Sequence, residues 1–214
     1  MSELFSIQLQ NRQQQGRDGV WLDLPTTTEQ VQAALRQIGI SSDNPQGLFI
    51  SGYFAEEEKR FAIPYNMVLA SNVDELNFLA SRLETLSTGE RAELNAALQA
   101  PQSELFSIGR ITDFPENVEY YVYLPDVRGP AQLGDYYLNR SGMVDMPEEW
   151  KGGIDTAQFG RYVAQQEQGV FTEYGYLVKS GDAWQKVHEG QPVPEEYRVL
   201  SFPAPEVLRD SANI

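Results

Sequence analysis

The apolar and polar positions along this chain change period several times, and each change marks an element. Residues 3–10 (ELFSIQLQ) alternate apolar and polar, the signature of a half-buried strand. Asp18-Gly19 is a pair favoured in tight hairpins, and Val20, Trp21 and Leu22 after it begin a second strand that Pro25 ends. Thr26-Thr27-Thr28-Glu29 offers a capping box, with a hydroxyl at the N-cap and Glu at N3. The helix it opens, over 29–37, carries Val31, Ala34, Leu35 and Ile38 on one face. Beyond a turn at 41–46, the runs 48–53 and 60–63 read as two more strands.

From Asn72 the period becomes 3.6. Leu76, Leu79, Ala80 and Leu83 form one stripe, and Glu75 stands three residues after the Asn72 cap. Ser87-Thr88-Gly89-Glu90 is another capping box, opening a helix that carries Ala92, Leu94, Ala97 and Leu98. Pro101 closes this helical hairpin, which cannot bury its stripe alone. Past 103 the pattern is mixed: a strand over 118–124, a helix over 130–139 and a helical turn over 147–150. A helix over 156–165 follows, with Phe159, Tyr162 and Val163 facing inward, then a closing strand pair at 169–171 and 174–178. The segment from Ser180 is rich in Pro and keeps one strand-like run, 197–202. The hexapeptide SELFSI occurs at both 2–7 and 103–108, but its flanks diverge, and the repeat reads as coincidence.

Composition narrows the chemistry. A hydrophobic fraction of 41% in 214 residues supports one large domain or two to three small ones. The longest apolar runs fall well short of a membrane span, and no basic leader precedes an apolar stretch, so a cytoplasmic protein is expected. Without Cys there is neither disulfide nor thiolate metal site, and no cofactor motif is visible. His188 is the single imidazole, and a lone loop histidine is more often solvated than catalytic. The pairs Glu148-Glu149 and Glu195-Glu196 are adjacent, so their side chains point apart. No catalytic residue is expected. The charge points elsewhere: 31 acidic residues against 16 basic give a net −15, the reverse of a nucleic-acid footprint. The acids are interleaved with 24 aromatic residues rather than gathered in runs, the longest block being Glu56-Glu57-Glu58. This is charge displayed on a fold, not an acidic disordered tail.

The order of the elements carries a resemblance. Gly19-Val20-Trp21-Leu22 with its capped helix, then NVDELNFLASRLETLSTGERAELNAAL over 72–98, resemble the hairpin and helical stretches of the ArdA family of antirestriction proteins. So do Tyr136-Tyr137, Gly142, Pro147, the run Asp155-Thr156-Ala157-Gln158-Phe159-Gly160-Arg161 and Gly169-Val170-Phe171. The likeness covers roughly 18–178 and leaves the residues after Ser180 outside it. It implies an α+β chain, elongated and built of three small domains. These would be a β-sheet with one helix over 1–66, a helical hairpin over 67–102 and a mixed α/β domain over 103–180 that pairs two copies into a homodimer. A C-terminal extension over 181–214 would follow. The implied function is inhibition of type I restriction-modification enzymes, by occupying the DNA-binding groove of the methyltransferase core. It implies no direct nucleic acid or membrane partner. The alternative is an acidic interaction module for another basic DNA-handling or defence protein.

A decoy for DNA needs carboxylates spaced like phosphates on a rigid support. Helical residues three or four apart lie about 5–6 Å apart, near the spacing of phosphates along a strand. Residues 1–70 hold 8 acids and 5 bases, 71–100 hold 5 and 2, and 101–214 hold 18 and 9. The candidate surface is therefore Asp74, Glu75, Glu84, Glu90 and Glu93 on the hairpin, continued by Asp113, Glu116, Glu119, Asp126, Asp135, Asp145, Glu148, Glu149 and Asp155. Any one of these is more often ordinary solvated surface, and Asp74, Glu75 or Glu90 can be used in helix caps. The expectation concerns their summed field. The many Tyr residues are read as core or dimer interface.

Overall fold

The computed structural model describes residues 4–14, 18–41, 45–56, 60–101 and 103–200. The chain divides into two compact units, one of residues 1–60, 65–81 and 193–214, the other of 61–64 and 82–192.

In the first unit β1 (Phe5–Asn11) is the central strand of an antiparallel sheet, between β2 (Val20–Leu24) and β3 (Leu48–Phe54). The alternation of β1 does what its period demands. Phe5, Ile7 and Leu9 are buried, whereas Ser6, Gln8 and Gln10 face the other side. A bulge at Gln8/Leu9 shifts the register against β3. Helix α1 (Thr28–Gln37) buries Val31, Ala34 and Leu35. Its capping box lies one residue later than expected: Thr27 is the N-cap and Gln30, not Glu29, closes the box. The preceding hydroxyl, Thr26, donates to Gln30 instead. A short helix α2 (Tyr65–Leu69) packs on β3. It is followed by α3 (Val73–Glu84), whose last residues count with the second unit. Asn77 on α3 is buried, accepting from the Thr26 amide at 2.7 Å and donating to the Tyr197 carbonyl at 3.0 Å.

The expected strand at 60–63 is absent. Phe61 and Ile63 are buried as a strand would require, but the Ala62 amide donates to the Asn95 side chain at 2.7 Å. The expected strand at 197–202 is also not one over 197–200, where a 3₁₀ turn at Glu195–Tyr197 leads to irregular chain; its last two residues lie outside the described residues. So does the end of the Glu56–Glu58 block, and so do the first residues of the 2–7 repeat.

In the second unit α4 (Thr88–Gln99) begins at the expected capping box of Ser87 and Glu90. Helix α5 (Ile108–Thr112) starts inside the second copy of the repeated hexapeptide. There Ser107 caps α5 and Phe106 is exposed, whereas in the first copy Phe5, Ser6 and Ile7 form a strand. One sequence thus takes two structures, so the repeat carries no duplicated element. Strand β4 (Tyr121–Leu124) is shorter than expected, residues 118–120 being a 3₁₀ turn. It pairs antiparallel with β6 (Tyr176–Lys179), which also pairs with β5 (Val170–Phe171). Between them run α6 (Pro130–Asp135) with a π turn to Arg140, α7 (Glu148–Lys151) and α8 (Thr156–Glu167). Val127, Leu133, Ala164 and Tyr176 form one core cluster of this unit, with Tyr136, Tyr137, Val163 and Phe171 packed against it.

Helices α6 and α8 touch backbone to backbone. A Cβ at Gly160 would lie 1.8 Å from the Pro130 carbonyl oxygen, and one at Gly134 would lie 1.9 Å from that of Thr156. The inward face of α8 is therefore set by Gly160 and Ala164, and Tyr162, expected inward, is 60% exposed. The whole is a mixed α+β structure with two small antiparallel sheets.

Candidate functional site

The fourteen candidate carboxylates fall into three groups once their surroundings are seen. The first group is engaged in holding the fold. Asp113 is fully buried, and its two oxygens accept the backbone amides of His188 at 2.6 Å and Glu189 at 3.2 Å. It has no access to a partner, so it leaves the candidate surface. Asp74 Oδ1 accepts the amides of Val199 and Leu200, both at 2.8 Å. Glu75 and Asn72 cap α3 reciprocally, Asn72 Oδ1 accepting the Glu75 amide at 2.9 Å. Glu90 accepts the Ser87 amide at 2.7 Å, and its bonds to the Ser87 side chain and backbone hold its carboxyl below the usual range. Asp155 caps α8 through the Gln158 amide at 3.0 Å while staying exposed.

The second group is paired with cations. Glu116 meets Arg82, Asp135 meets Arg140 at 3.3 Å, and Glu148 meets Lys151 at 2.5 Å. Surface pairs of this kind contribute little to stability, and their carboxylates stay available to a stronger cationic partner. The third group is Glu119, Asp126, Asp145 and Glu149, all exposed, with Glu84 and Glu93 half-buried. Glu93 stands apart: burial first, then the neighbouring Glu90 charge, pushes it up to about 7, and its Oε1 is buried without a hydrogen-bond partner. Near neutral pH it carries only part of a charge. The surface available to a partner is thus narrower than the acid count.

A second arrangement was not legible in the sequence. Residues 181–192, which composition reads as part of an extension, belong to the second unit, whereas 193–200 count with the first. Asn117 is buried, accepting the Gln185 amide at 2.7 Å and donating to the Gln185 carbonyl at 2.9 Å. Beside it Asp113 holds the next turn. Arg110 is buried too, paired with Glu104 at 2.9 Å. It lies 3.1 Å from Glu189 without the alignment of a hydrogen bond. Its guanidinium stacks on Phe106 at 4.7 Å and Trp184 at 5.6 Å. Burial alone would raise Glu189, but Arg110 and Lys186 together hold it below the usual range. Sequence gives no period or spacing for such polar anchors. Only the buried environment marks them, because a buried polar group must find partners.

His188, the one imidazole, enters this latch through its backbone amide. Among the described residues no group of three or more His, Asp or Glu is placed to hold a metal ion. No described helix is long and apolar enough to cross a membrane.

The comparisons with known proteins are decisive on family. The family model of the antirestriction protein ArdA matches residues 15–178. The chain belongs to the ArdA family. No curated relative matches it. Membership of an antirestriction family makes antirestriction the function implied here, and that of an inhibitor rather than of a catalyst. The motif that pointed to ArdA has a structural reading in this chain. Asp155 starts α8, Gly160 lets it touch α6, and Gly169 leaves room for the Tyr176 hydroxyl, which a Cβ there would meet at 1.9 Å. That hydroxyl donates to Glu167 at 2.9 Å, and Tyr137 donates to the same carboxylate. Burial, with the bond to Glu167 and its charge, raises both tyrosines above their usual range. The motif builds the scaffold. The matched region ends at 178, before the latched segment over 182–190.

Proposed function

We propose that this ArdA-family chain inhibits type I restriction-modification enzymes by presenting carboxylates in place of DNA phosphates in the DNA-binding groove of the methyltransferase core. The observation that carries the reading is a net charge of −15 on a chain of the antirestriction family, with Glu119, Asp126, Asp145 and Glu149 exposed on turns, short helical segments and connecting chain. Carboxylates held on a folded surface need less ordering on docking than those of a disordered acidic tail, so more of their Coulomb attraction to a basic groove is kept. Glu119, Asp126, Asp145 and Glu149 supply the exposed charge, supported by the half-buried Glu84 and by the fold-holding and paired carboxylates Asp74, Glu75, Glu90, Glu116, Asp135, Glu148 and Asp155. Glu93 joins in its ionised form. Two copies pair through residues 103–180, where Met143, Trp150 and Tyr162 are exposed large apolar side chains. A sedimentation run at the mass of one chain would remove the pairing from this reading.

The inhibition itself is tested by competition. Excess protein is expected to displace a labelled duplex from a type I methyltransferase at low salt. The displacement should weaken steeply as salt rises, because ion release drives both complexes. Retention of the duplex at all protein concentrations in low salt would overturn mimicry and favour another basic partner.

A further inference from the structure

The outward face of the first sheet displays exposed aromatic groups in register. In antiparallel pairing, residues directly opposite each other share a face. Ser6 stands opposite both Asp23 on β2 and Phe54 on β3, and Gln8 stands opposite Trp21 and Gly52. The face opposite the core therefore carries a row Asp23–Ser6–Phe54 beside a row Trp21–Gln8–Gly52. Trp21 is 49% exposed and Phe54 57%. Their rings meet edge to face with centroids 6.5 Å apart. Gly52 makes room for the indole: a Cβ there would lie 3.0 Å from the Trp21 ring. Asp23 accepts the Ser6 hydroxyl at 2.6 Å, which fixes its carboxylate at the edge of the aromatic pair.

Exposed aromatic rings on an acidic protein do not suit nucleic acid, whose phosphates the net charge repels. They suit a guanidinium, which needs a π face and a carboxylate together. The same sheet already shows that contact within its own chain. Phe49, opposite Gln10 on the same face, carries the Arg12 guanidinium 5.3 Å from its ring centre. Trp21 and Phe54 offer two further rings beside Asp23. We propose that this face is a docking surface for an arginine-bearing basic segment of the protein partner, one that stacks guanidinium groups on Trp21 and Phe54 and pairs them with Asp23. That the partner is basic rests on the function proposed above. That the face selects arginine over lysine does not follow from charge, because a carboxylate field attracts both alike.

The test uses the full chain and two capped probes of equal charge, octa-arginine and octa-lysine. A nitrogen-15 spectrum separates the three indole N–H signals, and Trp21→Leu assigns one of them. Octa-arginine is expected to move the Trp21 signal and to bind at least about fivefold more tightly than octa-lysine, the scale of one or two exposed cation–π contacts. Trp21→Leu with Phe54→Leu keeps the apolar volume and should abolish that preference while leaving octa-lysine binding unchanged. If the double variant fails to fold, Asp23→Asn carries the test and should weaken octa-arginine more than octa-lysine. Equal affinity for both peptides, an unmoved Trp21 signal, or a preference that survives the substitutions would overturn the proposal. The two readings fail separately. Arginine selectivity without displacement of DNA from a type I enzyme would leave this surface standing and remove the mimicry. Displacement that the leucine variant performs unchanged, without arginine selectivity, would remove this surface alone.

Discussion

Glu93 shows how far a residue's environment can depart from its place in an acid count. In the unfolded chain it titrates at its ordinary value of 4.5, and in the fold at about 7. Between those values the unfolded state sheds its proton first, so the fold loses stability as pH rises from 4.5 to 7 and levels off above. Glu93→Gln keeps the neutral form. It should match the parent near pH 4 and exceed it at pH 8 by about 1–2 kcal/mol, a figure that allows for the residue's partial exposure. Urea midpoints at the two pH values check this, and a variant no more stable than the parent at pH 8 contradicts it. Asp113 is the stronger case: an acidic residue in the sequence, but a buried acceptor for two amides in the fold. Both belong to the candidate surface by spacing alone, because spacing does not report burial.

Among the elements, those with local signals were legible. The capped helices α3 and α4 stand where Asn72–Glu75 and Ser87–Glu90 place them, since a cap satisfies orphan amides within four residues of chain. Elements settled by distant partners were not. Phe61 and Ile63 alternate like a strand, but the intervening amide is taken by Asn95, 33 residues away. In α8 the large apolar residues suggest one inward face; Val163 does pack on the core, but contact with α6 places Gly160 and Ala164 innermost and leaves Tyr162 exposed. That contact supports a sharp prediction. Gly160→Ala forces a Cβ against a backbone oxygen that cannot swing aside, and should destabilise the protein by about 3 kcal/mol or more. Gly89→Ala in α4, where a Cβ meets nothing within 4 Å, should instead gain up to about 1 kcal/mol. Thermal melts of the pair read both. A Gly160→Ala melt equal to the parent's would mean that the two helices need not touch.

For the whole molecule the charge acts as a sum. Replacing Glu119, Asp126, Asp145 and Glu149 by their amides moves the net charge from −15 to −11 while touching no cap. If mimicry holds, the quadruple variant should lose at least about tenfold in apparent affinity for a type I methyltransferase at low salt, each single change costing a few-fold at most. The salt dependence of its binding should be shallower too. Unchanged affinity in the quadruple variant would place the recognition elsewhere. The latch over 182–190 bears on how such a protein can be shortened. The family match stops at 178, a natural place to trim the gene, yet a chain ending there would strip Asp113 and Asn117 of the amides they hold and uncover Arg110. Those side chains would exchange fixed backbone partners for water, and Tyr120 would lose the Trp184 ring packed edge-on against it at 5.1 Å. The reading frame of this molecule therefore has a working boundary later than its recognisable one, and an expression design that trusts the motif would cut through a structural joint.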